Sequence, residues 1–223
     1  ETLYEKSRRC VLQEWDRAQR LGLDHLVLHP GAHMGSGAAA GLARIALALD
    51  WLHRERPEHR CRILLETTAG AGSVLCGKVE HLRYLFQSCD AAARLGVAID
   101  TCHLFAAGYD LRTQAAIDDT LGKLDAAVGL SRVLVVHAND AKGALGSNLD
   151  RHELDVQGDC RLLRLLQLIA GGERPAREDG DARGLGHGFL EQLQAFAREG
   201  GLGNGGDPGH VPARPREAAH QSP

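Results

Sequence analysis

The sequence predicts an α/β fold on a parallel sheet and, within that class, a (β/α) barrel. Three observations carry this. Helical and strand-like stretches alternate strictly between residue 3 and about residue 140. The strand-like stretches are almost continuously apolar, as they must be when helices cover both faces of a sheet. None is followed by the glycine-rich GxGxxG turn of a dinucleotide-binding sheet, which favours the barrel over a doubly wound sheet.

The elements follow in order. Leu3, Val11, Leu12, Trp15 and Ala18 recur at helical spacing and stop at Gly22, which predicts a first helix. "HLVLH" (25–29) is a short apolar strand broken at Pro30-Gly31, and "GLARIALALDWLHRE" (41–55) is a helix that ends before Pro57. "RILLE" (62–66) is the second strand and residues 78–95 the next helix. "VAID" (97–100) is a strand running into a polar loop, residues 114–129 form a helix, and "RVLVVH" (132–137) is the fourth strand. Strands separated by helices imply right-handed crossovers.

Beyond this the pattern decays. Residues 161–172 and 189–200 are spaced as helices, but from Gly171 to Pro223 the composition shifts to Gly, Arg, Ala, Pro, Asp and His. We therefore expect a partial barrel over residues 1–170 and an atypical tail over 171–223, either disordered or a frameshift product.

Bulk properties narrow the function classes. The chain has 223 residues, enough for one sizeable core, and a formal charge of -3, without the basic footprint of a non-specific nucleic-acid binder. Bound divalent metals would change that sign locally. Six cysteines without a CxxC pair read as reduced, mostly buried thiols, which points to the cytoplasm. No apolar run reaches the roughly 20 residues of a membrane span.

The chemistry stands at the strand ends. The first strand ends in His29, the second in Glu66, the third in Asp100 with His103 three residues on, and the fourth in His137. Asp150 and His152 follow, two apart, a spacing that points both side chains to one side of an extended segment. All seven are residue types that bind zinc, manganese or iron. The C-terminal strand ends of a (β/α) barrel converge on one face, so these residues are expected to meet as a metal cluster. His25, His33, His53, His59 and His81 lie on helices or flanks and are expected to be solvated, and His187, His210 and His220 in the tail to be incidental.

"LVLHPG", "LETTAGAGS", "IDTCHLFAAGYDLRT" and "HANDAKGALGSNLDRHE" together resemble the endonuclease IV family of apurinic/apyrimidinic endonucleases, with hardly a gap from Glu1 to Glu153. The resemblance implies a TIM barrel with a trinuclear zinc cluster. It also implies a base-excision-repair hydrolase, monomeric, that cuts double-stranded DNA 5′ to abasic sites and trims blocked 3′ ends. Carried over, His29 ligates the first metal, Glu66 bridges the first and second, Asp100 and His137 belong to the second, and His103, Asp150 and His152 hold the third. A bridging hydroxide would attack the phosphate, with Glu66 placed to help deprotonate the water. Two small departures are Thr67, where Asn is common, and Ala141, where a small hydroxyl residue is usual.

The family pattern has nine protein ligands, of which seven are matched. A His on a strand before Glu1 and a Glu on a last strand have no counterpart, nor do the first strands themselves. We therefore expect an incomplete barrel holding fewer than three zincs, with impaired activity. The competing readings are an inactive metal-binding fragment and a xylose isomerase-like sugar isomerase barrel.

Overall fold

The structure is a computed structural model, which describes residues 2–153. Eleven elements follow in order: α1 (Leu3–Arg20), β1 (His25–Leu28), α2 (Ala38–Glu55), β2 (Arg62–Glu66), α3 (Val79–Ser88), β3 (Leu95–Asp100), α4 (Thr101–Ala106), α5 (Gln114–Val128), β4 (Val133–His137), β5 (Asp140–Ala141) and β6 (His152–Glu153). β1 to β4 form one sheet in chain order, every pair parallel, which is the arc of a (β/α) barrel. β5 and β6 pair separately and antiparallel.

Local signals explain the helix starts. Thr2 caps α1 in a reciprocal box: its hydroxyl accepts from the Glu5 N–H at 3.2 Å while the Glu5 carboxylate accepts from the Thr2 N–H at 2.9 Å. Thr113 caps α5 by accepting from the Ala116 N–H. Gly129, at φ 79°, ends that helix in a backbone region that favours glycine.

β2 and β3 carry the core. Ile63, Leu64, Leu65, Val97, Ala98 and Ile99 are fully buried, as expected of strands covered on both faces. α2, α3 and α5 add the buried Leu49, Leu52, Leu82, Leu85 and Leu124 to the core. Both outer strands, β1 and β4, keep one unpaired edge among the described residues.

Three expectations are corrected. The helix predicted over 78–95 ends at Ser88, because Cys89 turns extended and the Ala91 N–H is taken by the Asp50 carboxylate at 3.1 Å; β3 then starts at Leu95. The segment after Asp100, read as loop, begins with the helix α4, because the Asp100 carboxylate caps it by accepting the His103 N–H at 3.0 Å. His53, His59 and His81 are not solvated. His53 is buried with Nδ1 against the Leu49 carbonyl, His59 faces Asp16 at 3.3 Å, and His81 Nδ1 accepts from the Cys76 N–H. Burial holds the His53 imidazole below its ordinary pKa, so it stays neutral. His25 is exposed as expected, and half-buried His33 accepts from the Gly35 N–H.

Cys61, Cys76, Cys89 and Cys102 are buried free thiols, whereas Cys10 is exposed. Burial pushes Cys76 and Cys89 up to about 12, so both are inert at neutral pH. The helices predicted at 161–172 and 189–200, the boundary at residue 170 and Cys160 lie outside the described residues.

Trp15 closes the end of the sheet where the strands begin. It is fully buried, its Nε1–H donates to the Cys61 carbonyl at 2.7 Å, and the His53 and His59 rings flank it at 4.9 and 4.7 Å. Trp15→Ala is expected to cost about 3–5 kcal/mol in denaturant unfolding, since it leaves both a cavity and an unsatisfied carbonyl.

Candidate metal centre

The opposite end of the sheet gathers the seven predicted residues. Glu66 and Asp100 end β2 and β3, His137 ends β4, His29 lies one residue beyond β1, and His103 sits in the first turn of α4. Asp150 lies two residues before His152, the first residue of β6. Four groups of three residues each bring their donor atoms within 4.8 Å of one another. They are Glu66, Asp100 and His137; His103, Asp150 and His152; His29, Glu66 and His103; and Asp100, Cys102 and His152.

Strand register produces part of this. Glu66 lies opposite Ala98, two residues before Asp100, so Glu66 and Asp100 point to the same side. The β3–β4 ladder slips between Val97 and Ala98: Val97 pairs with Val133 but Ala98 with Val135, leaving Leu134 over. This bulge brings His137 level with Asp100. Without it Asp100 would sit beside Val136, and the imidazole would face the other side.

Glu66 is the hub. Its Oε2 meets His29 Nε2 at 2.9 Å and its Oε1 meets His137 Nδ1 at 2.7 Å, so its two oxygens serve two different imidazoles. Burial pushes its carboxyl up, but the hydrogen bonds from His29 and His137 together outweigh that and leave it below its ordinary value. The Glu66 hydrogen bond in turn raises His29 above the usual imidazole value, against a smaller lowering by burial.

His103 shows the donor chemistry most clearly. Its Nδ1 lies 2.8 Å from the Thr67 carbonyl, which can only accept, so Nδ1 carries a proton and Nε2 is the nitrogen that a neutral ring offers as a lone pair. That nitrogen faces Asp150 Oδ1 at 3.3 Å, and His152 Nε2 faces the same oxygen at 3.5 Å. An imidazole anchored through its other nitrogen to a carbonyl is the usual support of a metal ligand. The donor set therefore fits divalent metal ions.

The floor is buried and the rim is open. The side chains of Glu66, Asp100 and His103 are 7, 1 and 3% exposed, whereas those of His29, His137, Asp150 and His152 are 51, 39, 47 and 41% exposed. A large substrate can reach such a rim. A cavity of about 360 Å³ opens beside His29, between α1, α2 and the end of β1.

Sequence reading missed the supporting residues. Thr67 accepts from His103 through its carbonyl and from the Asp100 N–H through its hydroxyl at 3.0 Å, while its own N–H donates to the Ala98 carbonyl. Its main role is thus played by backbone, which no side-chain pattern reveals. Cys102, between the two predicted ligands, donates its thiol to the Arg151 carbonyl at 3.5 Å and ties α4 to the Asp150–His152 arm. Burial, reinforced by Asp100, pushes that thiol up to about 11. The loop after Glu66 closes through a backbone contact: a Cβ on Gly77 would lie 2.6 Å from the Gly70 Cα, so only glycine fits.

Residues 1–170 match the family described as xylose isomerase-like TIM barrel. The chain is 45% identical over 151 residues to a probable endonuclease 4 of Methanoculleus marisnigri, covering 68% of this chain and 54% of that protein. It is 47% identical over 156 residues to its counterpart in Chloroflexus aurantiacus, covering 70 and 55%. Endonuclease IV from Thermus thermophilus superposes with a TM-score of 0.65 at 31% identity, over 87% of this chain and 69% of that one. The chain belongs to the endonuclease IV family. It spans about half the length of the curated endonuclease 4 relatives it matches. A D-tagatose 3-epimerase-like protein, with a TM-score of 0.63 at 20% identity, shares the fold alone with this chain.

Proposed function

We propose that this chain carries the metal centre of a DNA-repair endonuclease that hydrolyses the phosphodiester 5′ to abasic sites in double-stranded DNA and trims blocked 3′ ends. His29, Glu66, Asp100, His103, His137, Asp150 and His152 would hold zinc. The observation that supports this reading is the meeting of Glu66, Asp100 and His137 beside His103, Asp150 and His152 at one end of the sheet. When bound, the metals supply an activated hydroxide and neutralise charge on phosphate.

The protein's own groups do the rest. Glu66, held ionised by its two imidazole partners, is available to accept a proton at Oε1 or Oε2. The buried floor fixes the ligands, since a site loose by an ångström loses most of its activity. The open rim leaves room for a DNA backbone.

Residues 1–170 would form the partial barrel and 171–223 a separate segment, the whole acting as a monomer in the cytoplasm at the nucleoid. Among the described residues no helix is long and apolar enough to cross a membrane. We propose that incision by the 223-residue polypeptide is impaired, because β1 and β4 keep open edges beside the centre among the described residues. A fragment that only binds metal is the limiting case of that impairment.

The test is a duplex with a single tetrahydrofuran abasic analogue, offered to chelator-treated and zinc-restored protein. Weak incision 5′ to the analogue that depends on added zinc supports the proposal. Clearly fewer than three zincs per chain by metal analysis would accompany it. Vigorous incision resistant to chelator would overturn it, as would binding of no metal at all.

Acid should compete with the metal. A proton on His29 must leave before the nitrogen can ligate, and Glu66 holds that proton above the ordinary imidazole pKa of 6.5. Zinc affinity is therefore expected to fall as the pH drops, beginning above that value. In the metal-free protein the sign reverses: the His29–Glu66 pair stabilises the fold below 6.5 and is lost as pH rises through the raised His29 value. Chelator competition at about pH 8 and about pH 5.5 checks the first statement, and thermal melts at the same pH values check the second.

A further inference from the structure

We infer that Asn139 is a positioning residue for Asp100, fixing the carboxylate that stands between two of the metal-binding groups. The inference rests on the reading of Asp100 as a metal ligand. Asp100 has one carboxylate and two claims on it. Its Oδ2 lies 3.9 Å from His137 Nδ1 and also 3.9 Å from His152 Nε2, and Asp100 belongs to a donor group with each. Its Oδ1 is occupied by the His103 N–H at 3.0 Å, as the cap of α4. That single bond fixes one oxygen but leaves the carboxylate plane free to turn.

Asn139 supplies the second constraint. Its side-chain Nδ2 donates to Asp100 Oδ2, and the facing atom must be the nitrogen because an ionised carboxylate only accepts. Asn139 is itself anchored. Its N–H donates to Thr101 Oγ1 at 2.9 Å, and its carbonyl accepts from that same hydroxyl. Thr101 directly follows Asp100, so the amide is mounted on the same helix turn that Asp100 caps. With both oxygens engaged, the carboxylate keeps one orientation, and the free lone pair of Oδ2 stays on the side of His137 and His152. Asn139 also lies two residues beyond His137, so one strand end delivers both a ligand and the support of its neighbour.

The test measures zinc affinity in the full chain by competition with a chromophoric chelator, together with the visible absorption of the cobalt(II)-substituted protein. Asn139→Leu keeps the volume of the side chain and removes the donor. It is expected to weaken the position shared by Glu66, Asp100 and His137 ten- to a hundredfold and to shift its cobalt bands. The position of His103, Asp150 and His152, a group to which Asp100 contributes no donor atom, should change less than about threefold. Asp100→Asn keeps the helix cap and removes the ligand, so it tests the underlying reading separately. If Asp100→Asn binds metal as the wild type does, Asp100 is not a ligand and that reading fails. If Asp100→Asn is impaired but Asn139→Leu is not, the reading stands and the Asn139 inference alone is overturned. In the double variant the Asn139 effect should vanish, since it acts through Asp100. An additive loss would mean that Asn139 serves the fold at large and would overturn the positioning role. Thermal melts of the metal-free variants keep unfolding from passing as lost affinity.

Discussion

Glu66→Gln is expected to weaken two metal positions at once and to abolish any metal-dependent incision. Glu66 is the residue whose two oxygens meet two different imidazoles, His29 at 2.9 Å and His137 at 2.7 Å. An amide keeps the shape but replaces one oxygen with a donor and removes the charge, so one contact is lost outright and the other is weakened. Loss of a group worth several kcal/mol at the transition state lowers a rate on the order of a thousandfold. Affinity for abasic duplex should change little, because Glu66 lies on the buried floor and not on the rim. The comparison is best made in the zinc-restored protein, on a duplex with a single tetrahydrofuran abasic analogue. Incision there that resists both chelator and Glu66→Gln would show that the centre does not do the chemistry. His33→Ala, half-buried beside the cavity, is the control expected to leave incision within a few-fold of the parent.

What the sequence made legible was residue type at a repeated place. A strand that ends in His, Glu or Asp is visible without coordinates, because the apolar run stops there. The convergence of such ends follows from the parallel sheet, which the alternation of helices and strands already implied. Less local features stayed hidden. The extra Leu134 in β4 decides that His137 faces the same side as Asp100, yet "RVLVVH" reads as an unbroken strand. α4 was hidden because its cap, Asp100, was already read as a ligand, and one carboxylate does both jobs. His53 and His59 look like surface imidazoles by spacing, but both pack on Trp15, a tertiary contact that no periodicity announces. The Thr67 carbonyl, which fixes the His103 tautomer, has no signature in side chains at all.

His103→Asn is expected to strip the third position of its metal while leaving the fold nearly intact. The Asn amide nitrogen sits about where the imidazole Nδ1 sits, so it can keep donating to the Thr67 carbonyl, now 2.8 Å from Nδ1. Asn has nothing in place of Nε2, the nitrogen that faces Asp150 at 3.3 Å. The variant therefore separates two roles that alanine would remove together. Stability of the metal-free protein should fall by no more than about 2 kcal/mol, the part owed to lost packing of a buried ring. Affinity at the position of His103, Asp150 and His152 should fall by a hundredfold or more, since removing a ligand costs at least as much as removing its support. His103→Ala should lose the metal equally and also destabilise the metal-free protein further, because the Thr67 carbonyl is then buried without a donor. Equal metal affinity in the His103→Asn variant and the wild type would show that Nε2 is no ligand. Its approach to Asp150 would then be an ordinary hydrogen bond, and the third group would have to be withdrawn from the centre.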